Sequence, residues 1–145
     1  MLEAAKEIKA DAFVRINGDS PLIDPAIIDQ SVNIFQNGKY DLVTNVFPRS
    51  FPVGQSVEII KFITFEKVYQ RMSQPEEFEH VTKYFYNHPD DYRIYNLTNE
   101  TDLSHYRLVV DTPEDLYRIR KIIDKMDRSY TEYSMDDIIT LYPSS

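Results

Sequence analysis

Two aspartates of this chain stand where an α/β sheet would present a ligand. Asp19 follows an apolar run at residues 12–16 (AFVRI), within Asn17-Gly18-Asp19-Ser20-Pro21-Leu22. Asp111 directly follows a second run, residues 106–110 (YRLVV). In open α/β sheets, ligands bind outside the carboxyl ends of the strands. Mg²⁺ is typically held by one or two carboxylates together with substrate phosphates and water. Asp19 and Asp111 supply that set if their two runs are neighbouring strands. A plainer reading stands beside it, because an aspartate after a strand is often a turn residue or a helix cap. Asp111 precedes Thr112-Pro113, so for it the capping reading carries weight.

The elements that must position these acids are legible in the pattern. Leu2 to Lys9 reads as a helix end, and residues 12–16 as a short buried strand. Asp24-Pro25 opens a helix whose stripe is Ile28, Val32 and Phe35, with Gly38 after its end. Residues 40–46 (YDLVTNV) and 57–62 (VEIIKF) read as strands. Thr64 reads as the cap of a helix carrying Phe65, Val68, Tyr69 and Met72. Pro75 starts a helix with Phe78, Val81, Tyr84 and Phe85, stopped by Pro89. Residues 92–97 (YRIYNL) and 106–110 read as strands. Thr112-Pro113-Glu114-Asp115 starts a helix with a capping Thr, a Pro and first-turn acids. Ser134 and Asp137 begin the last helix, ending near Tyr142. Strands alternating with helices predict one α/β domain over residues 1–145, with a mostly parallel sheet flanked by helices.

Composition narrows the partners. The net charge is −8 and the 16 Lys and Arg are scattered, so the basic face that a nucleic-acid backbone requires is missing. No apolar run approaches the length of a membrane span. Cysteine is absent, which excludes disulfides and thiolate metal sites. The opening MLEAAKEIKADAF has no signal-peptide core, so a cytoplasmic protein is expected.

The segment Arg15-Ile16-Asn17-Gly18-Asp19-Ser20-Pro21-Leu22-Ile23-Asp24-Pro25 resembles the Gly-Asp-x-Pro-Leu-Ile-x-Pro motif of the cytidylyltransferases. It is closest to their spore coat polysaccharide branch, which is similar to the CMP-Kdo and CMP-sialic acid synthetases. Further matches follow in order: Asn45-Val46-Phe47-Pro48-Arg49-Ser50-Phe51-Pro52, Val57-Glu58, Glu79-His80-Val81-Thr82, Tyr86-Asn87-His88-Pro89 and Val110-Asp111-Thr112-Pro113-Glu114-Asp115-Leu116. The resemblance implies a Rossmann-like nucleotidyltransferase fold. It implies transfer of CMP from CTP to a sugar or sugar acid, with release of pyrophosphate. It also implies Asp19 and Asp111 as ligands of Mg²⁺, and a dimer as the common assembly.

Five further residues are weighed for the sugar side. Arg49, in a loop between prolines, has the fork geometry to grip a carboxylate or phosphate, or is a solvated loop residue. Glu58 either binds sugar hydroxyls or is a polar strand residue. Glu79 and His80 lie on a helix face near the expected sugar pocket, or form a surface pair. Arg107 either is structural or lines the pocket. Asn17, Ser20 and Gln55-Ser56 depart from the family's usual Thr, Cys or Glu, and Leu-Asp. The family's basic glycine loop, which cradles the triphosphate, has no counterpart among the 3 glycines at positions 18, 38 and 54. The expected chain is therefore a C-terminal part, with the N-terminal nucleotide-binding βαβ portion missing and no activity of its own. It would pair as a homodimer or with a complementing N-terminal half.

Overall fold

The structure, a computed structural model, describes residues 2–143. Helix α1 (Leu2–Glu7) leads into strand β1 (Ala12–Arg15), and helix α2 (Pro25–Asn37) carries the chain to strand β2 (Leu42–Thr44). A long loop returns it through strand β3 (Glu58–Lys61) into helix α3 (Phe62–Tyr69). Helices α4 (Pro75–Glu79) and α5 (Lys83–Asn87) precede strand β4 (Ile94–Asn96). Helices α6 (Pro113–Ile123) and α7 (Met135–Thr140) close the chain.

The four strands form one sheet in the order β1-β3-β2-β4. β3 runs antiparallel to both β1 and β2, and β2 runs parallel to β4. The sheet is mixed, which corrects the mostly parallel expectation. Its cause is the 45–57 loop, which reverses the chain and inserts β3 between β1 and β2. The other three strands share a direction, so their carboxyl ends still meet at one edge of the sheet.

Side chains alternate across the sheet and give it two buried faces. Val43 and Ile59 face one way, packed with Ile27 of α2, Val57 and Met135 of α7. Leu42 and Ile60 face the other, under Phe65 and Val68 of α3 and Phe85 of α5. A third cluster joins Leu22, Leu108, Ile119, Ile122 and Ile138, tying α6 and α7 to the loop after β1.

Local signals explain most element ends. Asp24 caps α2 by accepting from the Ala26 amide at 2.8 Å, and Pro25 fills the first turn. Thr112 caps α6 through the Asp115 amide at 3.2 Å. Ser134 and Asp137 form a reciprocal capping box on α7.

Three expectations fail for identifiable reasons. The helix after β3 begins at Phe62, and Thr64 lies inside it, donating to Asp41 Oδ1 at 2.7 Å instead of capping. The helix expected from Pro75 to Phe85 is two helices. It breaks at His80, whose φ of −113° and ψ of 74° lie outside the helical region. The break turns Val81 and Phe85 into the core and leaves Phe78 exposed. Residues 106–110 form no strand beyond an isolated bridge from Arg107 to Val53. Val53 donates to the Tyr106 carbonyl at 2.9 Å, Leu108 donates back to Val53 at 2.6 Å, and Val110 donates to Asp19 at 2.9 Å. The partners come from two separate loops, so no ladder can build.

Gly54 permits that crossing. Its φ is +99°, and a Cβ there would sit 2.4 Å from the carbonyl carbon and oxygen of Leu108. Only glycine accepts both the left-handed backbone and the close approach.

Candidate functional site

One rung of the sheet differs from the others. Arg15 on β1 pairs with Glu58 on β3, Glu58 with Thr44 on β2, and Thr44 with Asn96 on β4. The rung beside it, Val14, Ile59, Val43 and Tyr95, is mostly apolar. The polar rung closes the carboxyl ends of β1, β2 and β4, where sheets of this class present their ligands.

Its centre is Glu58, which is only 4% exposed. Arg15 Nη1 donates to Oε2 at 2.6 Å, and the Tyr86 hydroxyl donates to Oε1 at 2.5 Å. A phenol has one proton, so at the Thr44–Tyr86 contact of 2.9 Å the Thr44 hydroxyl is the donor. Burial, followed by the charge of Glu58, pushes the Tyr86 phenol far above its usual range, which keeps that proton in place. Arg49 donates to the Pro52 carbonyl at 3.3 Å and to Ser56 Oγ at 3.0 Å. Burial lowers its pKa and the charge of Glu58 opposes that, so its guanidinium belongs to the same electrostatic group. Phe47 stacks on the Tyr86 ring at 4.7 Å and 20°, with Phe47 40% exposed. Asn96 fixes this loop, accepting from the Phe47 amide and donating to the Pro48 carbonyl, both at 2.9 Å.

The aspartates lie in adjoining segments beyond this rung. β1 and the 106–110 segment are not neighbouring strands, contrary to expectation. The loop after β1 instead reaches across, and the Val110 amide donates to the carbonyl of Asp19 itself. Asp19 Oδ1 accepts from Ser20 Oγ at 3.0 Å. Asp111 Oδ2 accepts from Arg107 Nη2 at 3.0 Å, and its side chain is 51% exposed. Asp111 does not cap α6, since Thr112 does. Both carboxylates are hard oxygen donors on adjoining segments, each with oxygen left for another partner. That fits the one or two protein ligands Mg²⁺ takes beside waters and phosphate. Among the described residues no group of three or more His, Asp or Glu is gathered as a metal site.

The loop bearing Asp19 is held by Gln55, which is fully buried. Gln55 Oε1 accepts from the Asp24 amide at 2.8 Å, and its Nε2 donates to the Leu22 carbonyl at 2.7 Å. Asn45 completes the clamp, donating to the Gln55 carbonyl at 2.6 Å and accepting from the Val57 amide at 2.9 Å. The position that departs from the family pattern thus serves as a structural tie.

Arg49 lies within the electrostatic reach of Glu58. Glu79 and His80 do not join them: both are exposed at the α4 break and form no side-chain hydrogen bond or ion pair with the Glu58 group. Arg107 bonds Asp111 and Asp115, so it belongs to the aspartate side of the site. Sequence reasoning overlooked Arg15, Thr44, Tyr86 and Asn96. The available signal was an arginine and a threonine in otherwise apolar strands.

Comparison with known proteins bears on the fold and the family. A cytidylyltransferase from Leptospira borgpetersenii superposes with a TM-score of 0.90 and 34% sequence identity, covering 97% of this chain and 59% of that one. The spore coat polysaccharide biosynthesis protein SpsF of Bacillus subtilis is 26% identical over 97% of this chain and 58% of its own length. A 3-deoxy-manno-octulosonate cytidylyltransferase of Chlorobaculum parvum is 48% identical over 48 residues, 32% of this chain and 19% of its own length. This chain therefore spans under two thirds of the relatives it matches most extensively. The sequence profile of the cytidylyltransferases matches residues 1–137, and the chain belongs to that family.

Proposed function

We propose that this chain forms the metal- and sugar-facing part of a site that transfers CMP from CTP to a sugar or sugar acid of a surface polysaccharide, releasing pyrophosphate. The observation that supports the reading is the bond from the Val110 amide to the Asp19 carbonyl, which sets the segments bearing Asp19 and Asp111 side by side. SpsF, the spore coat relative, motivates the polysaccharide assignment. The reading places the protein in the cytoplasm, with nucleotide and sugar as ligands.

Asp19 and Asp111 would hold Mg²⁺, which when bound neutralises triphosphate charge. Arg49 offers its remaining N–H groups to a sugar carboxylate or phosphate. Glu58 acts behind it, since both its oxygens are already engaged. It fixes the Tyr86 ring and keeps negative charge beside Arg49. Positioning of this kind supplies much of the barrier reduction in such reactions.

The family's triphosphate loop has no counterpart in these 145 residues. We infer that these residues correspond to the C-terminal portion of the family fold and turn over only when that loop is supplied. The test is CTP-dependent pyrophosphate release with 3-deoxy-manno-octulosonate as acceptor. The expected result is no release by this chain alone, and release after adding the N-terminal half of a spore coat relative. That release should be abolished by Asp19→Ala. Turnover by the chain alone, lost in Asp19→Ala, would overturn the dependence on a second segment. A complemented enzyme indifferent to Asp19→Ala would overturn the site. A second reading, a dimerising or sugar-binding chain without chemistry, is favoured by the open outer edge of β1, the end strand of the sheet among the described residues.

A further inference from the structure

Arg107 stands at a junction between two carboxylates of different exposure. Asp115 is almost fully buried, with a side chain 3% exposed. Arg107 meets it as a fork, Nε on Oδ1 at 3.2 Å and Nη2 on Oδ2 at 3.0 Å. Three more groups hold Asp115: Arg118 Nη1 on Oδ1 at 2.5 Å, the Asp111 amide on Oδ2 at 3.2 Å, and Thr112 on its own amide. A planar fork on an anchored carboxylate leaves the guanidinium little freedom. The same Nη2 also reaches Asp111 Oδ2 at 3.0 Å, and Asp111 is the exposed end of the chain of contacts. The group holds two carboxylates and two guanidiniums, so its charge balances internally.

We propose that Arg107 is the resident counter-ion of Asp111, a positioning residue that a divalent cation must displace from that carboxylate. This rests on the reading of Asp19 and Asp111 as magnesium ligands. A cation arriving at Asp111 competes with Nη2 for Oδ2. Arg107 cannot follow Asp111 or leave, because Asp115 keeps it, so it stays as a like charge beside the metal. The bare site is therefore a weak one. It loads when a triphosphate brings its own negative charge, which ties metal binding to nucleotide binding. Asp111 meanwhile waits in a fixed pose instead of collapsing elsewhere.

The test is Mn²⁺ binding to the whole chain without nucleotide, followed by electron paramagnetic resonance. Arg107→Gln removes the charge and keeps a donor for Asp115. It is expected to tighten Mn²⁺ by about fivefold or more, as removal of a unit charge a few ångströms away in a water-like dielectric implies. Arg107→Lys keeps the charge and is expected to bind as the parent does. The gain should vanish in an Asp111→Asn background. Equal or weaker binding by Arg107→Gln, while Asp19→Asn and Asp111→Asn still lose the metal, overturns the role of Arg107 and leaves the two ligands standing. Mn²⁺ binding indifferent to both aspartates, or none at all, overturns both readings. The unaltered chain provides a check independent of how the variants fold. The ¹⁵Nε resonance of Arg107 is expected to shift as Mg²⁺ is added, and a resonance that stays still while the Asp111 amide moves also overturns the proposal.

Discussion

Tyr86 shows how much one hydroxyl settles. It donates a hydrogen bond to a buried carboxylate that the Arg15 guanidinium alone would leave half satisfied. Tyr86→Phe keeps the stacking on Phe47 and deletes that donor together with the oxygen that accepts from Thr44. A loss of about 1–3 kcal/mol is expected, the cost of an orphaned buried acceptor, read as a lower urea midpoint. Asp115 makes a second prediction through pH. The Arg107 fork, with Arg118 assisting, holds its carboxyl well below the usual range despite burial. A depressed folded pKa gives stability that is fully present above the unfolded value of about 3.9 and drains away as pH falls toward the folded one. Urea midpoints should therefore drop on acidification below about pH 4, and Asp115→Asn should flatten that limb. A variant as acid-sensitive as the parent would contradict the assignment. Motif spacing marks Asp19, Asp111, Arg49 and Glu58 as candidates in the sequence. Tyr86 and Arg15 are not among them, because their part depends on pairing between β1, β3 and α5 that local pattern does not encode.

The elements themselves were largely readable where a cap or proline speaks. α2, α6 and α7 start at the residues their Asp, Thr and Ser caps indicate. The direction of β3 was hidden, since an apolar strand reads the same whichever way it runs. The 106–110 segment has the apolar run of a strand but finds its partners one at a time. Gly54 is the hinge of that arrangement and carries the third prediction. Gly54→Ala combines a positive φ with a collision against Leu108 backbone. It should cost at least about 2 kcal/mol, since strain of this kind typically costs 1–3 kcal/mol before any clash is relieved. Thermal unfolding measures it, and a shift of under a degree would show that the two loops separate freely.

The molecule as a whole is asymmetric in how it treats its sheet. Both faces are covered, but β1 pairs only with β3 among the described strands. Grooves of about 340 and 350 Å³ flank it, sharing Ala12, Phe13 and Val14. Val14 and Ile16 remain 41% and 39% exposed. α1 forms one wall of the second groove and is tied to α3 through Lys6 and Glu66 at 3.2 Å. An open strand beside apolar surface is a template for another strand. Light scattering at micromolar concentration is expected to show mass above the 17.1 kDa of one chain, and a lysine at position 14 should lower it. A sharp monomer peak would count against the open edge. The capping of the acidic loop adds a matter of timing. Asp24 Oδ2 accepts the amide of Met135 at 2.8 Å, across 111 residues of sequence. Synthesis must run that far past Asp24 before the amide exists. The Gln55 ties to the loop that carries Asp19 can form earlier, so the Asp24 carboxylate at that loop's end takes its distant partner only once residue 135 has been made.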